Sequence, residues 1–295
     1  MSGFFIPREE LLKKAQPEYN ELNDITAATV YAVPDASVAA MIPPPLQLTV
    51  PHLLIIYVSR INEPTLAAPY MEGGIGALTT FTDAAGAVHT GLYYFNLQLM
   101  GAGAQNAAFF GREEAGLPKK FADYIGLRRV QNDVYFHIER GGVRLLDAHL
   151  RIGTYNDPTF SNDLENIDPL RGKLQNDAVL THRYQTDGEN GLHDMNLYYY
   201  NSPTFFCAYE SAFANVRLAS SAADPWGDIK IKKVLGGSYA RNNNFIVDVT
   251  KIHAYPNADA PGILQYLYPG RFDPMPGRKS AVTPFDCRED MTWTK

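Results

Sequence analysis

Cysteine is scarce in this chain. Its 295 residues hold two, Cys207 and Cys287, far apart and in no CxxC pair, so no zinc or thiol-redox motif is present. Free thiols in a reducing compartment are the expectation. Asn-x-Ser/Thr sequons are absent, and no apolar run reaches the length of a membrane span. The apolar Phe4-Phe5-Ile6 is followed after Pro7 by Arg8-Glu9-Glu10, too short a run for a signal peptide. A cytoplasmic protein is therefore expected. An excess of basic charge is also lacking: the net charge is -6 and no lysine/arginine run is long enough to read as a polybasic patch. That excludes an electrostatic footprint for nucleic acid and a polybasic membrane patch. Gly101-Ala102-Gly103 and Gly73-Gly74-Ile75-Gly76 do not complete GxGxxG, and no GxSxG elbow appears. The seven histidines are scattered. His137 and Glu139 share a strand face without a third ligand, and His182 and His193 are too far apart for one helical face. Neither a metal nor a cofactor is expected.

What is present is an ordinary globular composition, 45% hydrophobic and 20% charged, in a chain long enough for a sizeable core. Most of the signal is β. Residues 29–33, 52–60, 77–82, 88–100, 127–139, 142–152, 178–184, 194–200, 204–219, 228–235 and 245–253 read as strands. Turns separate several of them, at Asp83-Ala84-Ala85-Gly86 and, as a tight hairpin, at Gly141-Gly142. Residues 64–76 read as a loop. Along 88–100, Leu92, Tyr94, Asn96, Gln98 and Met100 alternate with Tyr93, Phe95, Leu97 and Leu99, a face that suits either a barrel interior with polar spots or a wet sheet surface. Helical signals are brief: 8–15, 36–41 and 263–267. Residues 153–177 read as a long polar loop and 269–295 as an extension. No linker, repeat or low-complexity run divides the chain, so one β-rich domain over 1–295, a barrel or sandwich, is expected.

The chemistry concentrates at Gly111-Arg112-Glu113-Glu114-Ala115-Gly116-Leu117-Pro118-Lys119-Lys120, behind the apolar run 107–110. A lysine held in apolar company either snorkels to water or loses its proton. In the second case the neutral amine attacks ketones and forms a Schiff base.

This segment resembles the active-site stretch of the acetoacetate decarboxylase family, and the order of elements over about residues 25–268 is loosely similar to it. The resemblance implies a closed, cone-shaped antiparallel β-barrel with a few short flanking helices, in a homo-oligomer. It implies Lys119 as the Schiff-base lysine and Lys120 as the like charge that promotes loss of its proton, an explanation taken over from that family. Glu72 matches a family glutamate that lines the pocket, as orienter or proton shuttle. Gln105, Tyr239, Arg112 and Glu113 are weaker candidates for substrate binding, with Arg112–Glu113 alternatively an ion pair at the segment's entry. The decarboxylases proper carry an arginine and a second glutamate where this chain has Asp24 and Tyr57. The implied activity is carbon–carbon lyase chemistry on a small oxo acid, decarboxylation first. The alternatives are an aldolase-dehydratase using pyruvate-like oxo acids and a non-catalytic barrel that binds a small ligand.

Overall fold

The structure is a computed structural model that describes residues 7–9, 21–160, 174–175, 177–187 and 191–274. The expected helical turns beyond residue 9, most of the 153–177 loop, the extension after 274 and Cys287 lie outside the described residues.

Among the described residues, fifteen strands form one sheet. In chain order they are β1 (Glu21–Pro34), β2 (Gln47–Leu48), β3 (Leu54–Pro64), β4 (Tyr70–Thr82), β5 (Val88–Met100), β6 (Lys119–Phe121), β7 (Tyr124–Val130), β8 (Asp133–Arg140), β9 (Val143–Ile152), β10 (Leu174–Gln175), β11 (Ala178–Asp187), β12 (Gly191–Asn201), β13 (Thr204–Leu218), β14 (Ile231–Phe245) and β15 (Asp248–Ala254). Helices α1 (Ala104–Ala108) and α2 (Ala260–Arg271) flank the sheet, with a 3-10 turn at Ala36–Met41 capped by the Asp35 carboxylate on Ser37 N–H at 2.9 Å. The sheet runs β15-β12-β11-β5-β4-β3-β1-β14-β13-β9-β8-β7.

The expected closed antiparallel barrel is corrected here: the sheet is not closed. The free edge of β5 is taken by two parallel neighbours, β11 at Leu92 and β6 over Leu97–Leu99. A strand has two edges, and with β4 on the other side none is left for β7. β7 is therefore an end of the sheet and pairs with β8 alone among the described residues. The sheet instead curls over itself. A Cβ on Gly73 of β4 would lie 2.5 Å from Ile138 Cδ1 of β8, so the two halves press together there. Val30, Val58, Phe136, Ile138, Leu146 and Leu150 form the core between them, all fully buried.

Local corrections follow from pairing. Tyr70–Gly76, expected in a loop, is strand, because Gly73 and Gly74 give the close approach that packed neighbours on β3, β5 and β8 require. The run 127–139 splits at Gln131 and Asn132 into β7 and β8. Gly141 and Gly142 form the expected two-residue hairpin, both at positive φ, as a type I′ turn demands. In β5 a bulge leaves Phe95 unpaired between Asn96 and Tyr94. This breaks the expected alternation. Asn96 and Gln98 are interior, while Tyr94 turns to the opposite face and meets Tyr57, ring centroids 6.2 Å apart.

β11 buries His182, whose Nε2 lies 2.9 Å from the Tyr255 hydroxyl. Burial, with the Arg271 and His253 charges adding, pulls its pKa from 6.5 down to about 3. Between those values the unfolded chain takes up a proton that the folded chain refuses. Stability is therefore lost as pH falls through this window. A His182→Gln variant should show a shallower fall of Tm between pH 6.5 and pH 4 than the wild type. Parallel Tm–pH curves would exclude His182 as a source of acid lability.

Candidate active site

The segment that carries the two lysines begins in α1, continues in a wide π turn at Phe109–Glu114 and ends in β6. Such widened turns recur at functional sites because they re-aim side chains. Here the turn lays Gly111 against Lys119. A Cβ on Gly111 would stand 2.4 Å from Lys119 Cε and 2.8 Å from Nζ, so the lysine stem occupies the space a side chain would fill. Pro118 has no N–H to place, and its carbonyl accepts from Leu97 N–H at 2.8 Å and Asn96 Nδ2 at 3.2 Å. Arg112 Nη1 donates to the Lys119 carbonyl at 3.3 Å, and Arg112 Nε donates to Glu113 at 2.7 Å.

Register fixes which side chains share a face. One cross-sheet row runs Lys119, Leu97, Gly74, Tyr57, Thr29, Ser238. The next runs Lys120, Gln98, Gly73, Val58, Ala28, Tyr239. Neighbours along a strand point to opposite faces, so the rows look in opposite directions.

On the first face, Lys119 is 6% exposed and its Nζ lies 2.8 Å from Glu72 Oε2. This is an ion pair by distance that lacks the angles of a hydrogen bond, and Glu72 Oε2 is otherwise buried without a donor. Glu72 Oε1 accepts from the Tyr57 hydroxyl at 2.6 Å. The Tyr70 ring stands 6.0 Å from Lys119 Nζ. Tyr70 belongs to a small apolar cluster with Ile25, Ile61, Leu99, Ala104, Ala107 and Ala108, which separates the site from water on that flank. Burial, then the Glu72 charge, raises the pKa of Tyr57, Tyr70 and Tyr94. All three phenols therefore stay protonated near neutrality and can donate.

On the second face, Lys120 is 3% exposed. Its Nζ donates to the Ala223 carbonyl at 2.7 Å and lies 3.2 Å from Asp224 Oδ1 and 3.3 Å from Asp273 Oδ1. Arg140 bridges the same two carboxylates. Its hydrogen bond, with the Arg140 and Lys120 charges, holds the Asp273 carboxyl below the usual range. Gln98 Nε2 reaches Asp224 at 3.1 Å and Asn96 at 2.6 Å, and Trp226 Nε1 donates to Asn96 at 2.9 Å. The like charge expected beside the Lys119 amine is thus aimed away from it and met by two carboxylates.

The remaining candidates do not gather at the Lys119 amine. Gln105 is exposed on α1. Tyr239 lies in the Lys120 row and stacks on Arg129, 4.9 Å from the guanidinium carbon. Arg112 holds backbone, and Glu113 points mostly to solvent. Asp24 pairs with Arg241 and Asn62, which hold its carboxyl low. Nothing in the residue pattern marks Gly111, Arg140 or Asp224 as partners of this site. Tyr57 lies two residues before Ser59 on β3, whose hydroxyl donates to the Glu72 carbonyl at 3.3 Å, and only this strand pairing brings the Tyr57 ring to Glu72. Asp224 sits in a loop with no periodicity to mark it. Among the described residues no three His, Cys, Asp or Glu side chains gather as a metal site would. No described helix is long and apolar enough to cross a membrane.

The sequence model of the family described as acetoacetate decarboxylase (ADC) matches residues 7–255. A protein named CLA biosynthesis isomerase from Lactiplantibacillus plantarum is 31% identical over 262 residues, 87% of this chain and 89% of the relative. The chain belongs to the acetoacetate decarboxylase family. Its fold is similar to that of acetoacetate decarboxylase from Legionella pneumophila subsp. pneumophila str. Philadelphia 1, at 15% identity and TM-score 0.65 over 80% of this chain and 87% of the other. It is also similar to the enduracididine biosynthesis enzyme MppR, solved with the condensation product of pyruvate and imidazole 4-carboxaldehyde, at 11% identity and TM-score 0.61 over 82% and 91%.

Two variants probe this arrangement. Asp224→Asn leaves the buried Lys120 and the partly buried Arg140 with only the exposed Asp273 carboxylate and should destabilise the fold by about 3–5 kcal/mol in chemical denaturation. A loss below about 1 kcal/mol would show that the network is not a buried charge pair in energetic terms. Gly111→Ala should displace the Lys119 stem and lower turnover by about tenfold or more. Unchanged turnover would show that the contact is not restrictive.

Proposed function

We propose that this protein is a Schiff-base enzyme in which Lys119 attacks the carbonyl of an oxo compound and Glu72 carries protons to and from carbon. The observation that supports the reading is the 2.8 Å approach of Lys119 Nζ to Glu72 Oε2 in a buried, largely apolar setting. The amine adds to the carbonyl, water leaves, and a protonated imine forms. That cation draws electrons from a bond on the adjacent carbon. A carbon-bound proton passes to Glu72 and an enamine results. Reprotonation at the same or a vinylogous carbon, then addition of water, frees Lys119.

A shift of a β,γ double bond into conjugation with the carbonyl is the first reading. Removal of the α-proton gives a dienamine, and return of the proton at the γ-carbon gives the conjugated imine, with no net gain or loss of atoms. It is favoured by the relative at 31% identity, which bears an isomerase name, whereas the likeness to solved decarboxylases speaks for the fold. The side chains described around the Lys119 amine also support it. Tyr57, Tyr70, Leu97 and Leu99 are uncharged, and Arg112 is engaged with backbone and Glu113. Decarboxylation of a β-oxo acid is the second reading, since the same imine accepts the electron pair left by CO2. The family supports it. A barrel that binds a ligand without reaction would form no covalent adduct.

Incubation with acetoacetate, pyruvate and a β,γ-unsaturated ketone, followed by borohydride reduction and peptide mass analysis, should place an adduct on Lys119. Lys119→Arg should abolish it. Full trapping in that variant would overturn the assignment. Absorbance of the conjugated ketone against CO2 release then separates the two reactions.

A further inference from the structure

We propose that Tyr57 is a positioning residue that divides the work of the two Glu72 oxygens, fixing Oε1 and reserving Oε2 for a carbon-bound proton. The inference rests on the Schiff-base reading above and concerns which atom does the proton transfer and what holds it there.

The register places Tyr57 in the same cross-sheet row as Lys119, with Gly74 and Leu97 between them, and Glu72 two residues along β4 on the same face. Gly74 keeps the row open. A Cβ there would stand 2.4 Å from Leu97 Cδ2 and 2.9 Å from Tyr57 Cε1, so the absent side chain lets the Tyr57 ring lie across β4 toward Glu72. The ring delivers its hydroxyl to Oε1 at 2.6 Å, the short distance of a hydrogen bond to a charged acceptor. Burial keeps the phenol protonated, so it acts as a donor.

Oε2 is different. It is buried, has no aligned donor, and has the Lys119 amine 2.8 Å away off its hydrogen-bonding axis. A buried carboxylate oxygen left in this state is costly, and such groups call for an explanation. When Lys119 Nζ becomes the imine nitrogen, the carbon next to the C=N is brought to the neighbourhood that Oε2 faces. Oε2 then takes the proton of that carbon. The C–H electron pair becomes the enamine C=C, and the imine π pair returns to nitrogen. The reverse step restores the proton. With Oε1 tied to Tyr57, the carboxylate cannot rotate to spend both oxygens on the amine.

Acetone supplies a test, because two isotopic exchanges separate the steps. Loss of 18O from labelled acetone faster than the background exchange through its hydrate requires the Schiff base and its hydrolysis. Uptake of deuterium from D2O at the methyl carbons requires the base as well. In Tyr57→Phe, which keeps the ring and its packing, deuterium uptake should fall about 10- to 100-fold, the worth of one hydrogen bond to a charged group. Loss of 18O and borohydride trapping should persist. A purely structural role for Tyr57 would lower both exchanges together, and that result overturns the inference, as does unchanged deuterium uptake. A Glu72→Gln variant should lose deuterium uptake and still exchange 18O; equal loss of both removes Oε2 as the base. If the wild type neither loses 18O nor forms an adduct, the Schiff-base reading itself fails.

Discussion

Lys119 and Lys120 are adjacent on a strand, and a strand sends adjacent side chains to opposite faces. Both are buried. A buried ammonium needs a carboxylate or must give up its proton. Lys120 has Asp224 and Asp273, which it shares with Arg140, and these tie β6 to β8, to the loop before Trp226 and to the end of α2. That charge cluster leaves β6 little freedom to rotate about its axis. The aim of Lys119 toward Glu72 is the other side of the same constraint. The second lysine of the pair therefore bears on the first through the strand, whereas its own charge is taken up on the far face.

Several independent contacts hold the same short segment. The wide turn brings Gly111 against the Lys119 stem, Arg112 takes the Lys119 carbonyl, and the Pro118 carbonyl is held by β5. α2 completes the enclosure. Arg271, itself buried, donates to the carbonyls of Gly116 and His182, and the Gly270 carbonyl accepts from Asn96 at 2.8 Å. This helix lies beyond residue 255, where the family match ends. The open edge of the sheet belongs to the same design. β6 must lie parallel on β5 to put Lys119 beside Leu97 and opposite Glu72, and that occupancy prevents closure of the barrel.

An imine is a general electron sink, so the Schiff base proposed at Lys119 is compatible with more than one reaction. What decides the outcome is which bond on the adjacent carbon is aligned and which group receives the proton. Here the groups around the amine are a carboxylate, three phenols and aliphatic side chains. At the Lys119 amine one carboxylate, Glu72, is present, and Tyr57 is a neutral donor to it.

Local features were legible in the residues alone. Alternating β-branched and aromatic residues gave most strands, Gly141-Gly142 gave the hairpin, and the Leu-Pro-Lys-Lys segment pointed to Lys119, while Glu72 was implied only by the family resemblance. These are readable because φ/ψ preference and side-chain period are properties of a few neighbouring residues. What each lysine faces was not readable. It depends on the register of the five strand pairings from Lys119 to Ser238, and a slip of one residue in any of them would exchange the two faces. The bulge at Phe95 had the same effect on Tyr94, undoing an alternation that looked regular in the sequence. The pairing of Lys120 with Asp224, 104 residues away, and the open sheet were decided by tertiary structure, because a charge finds its partner and an edge strand its neighbour only when distant segments compete for the same space.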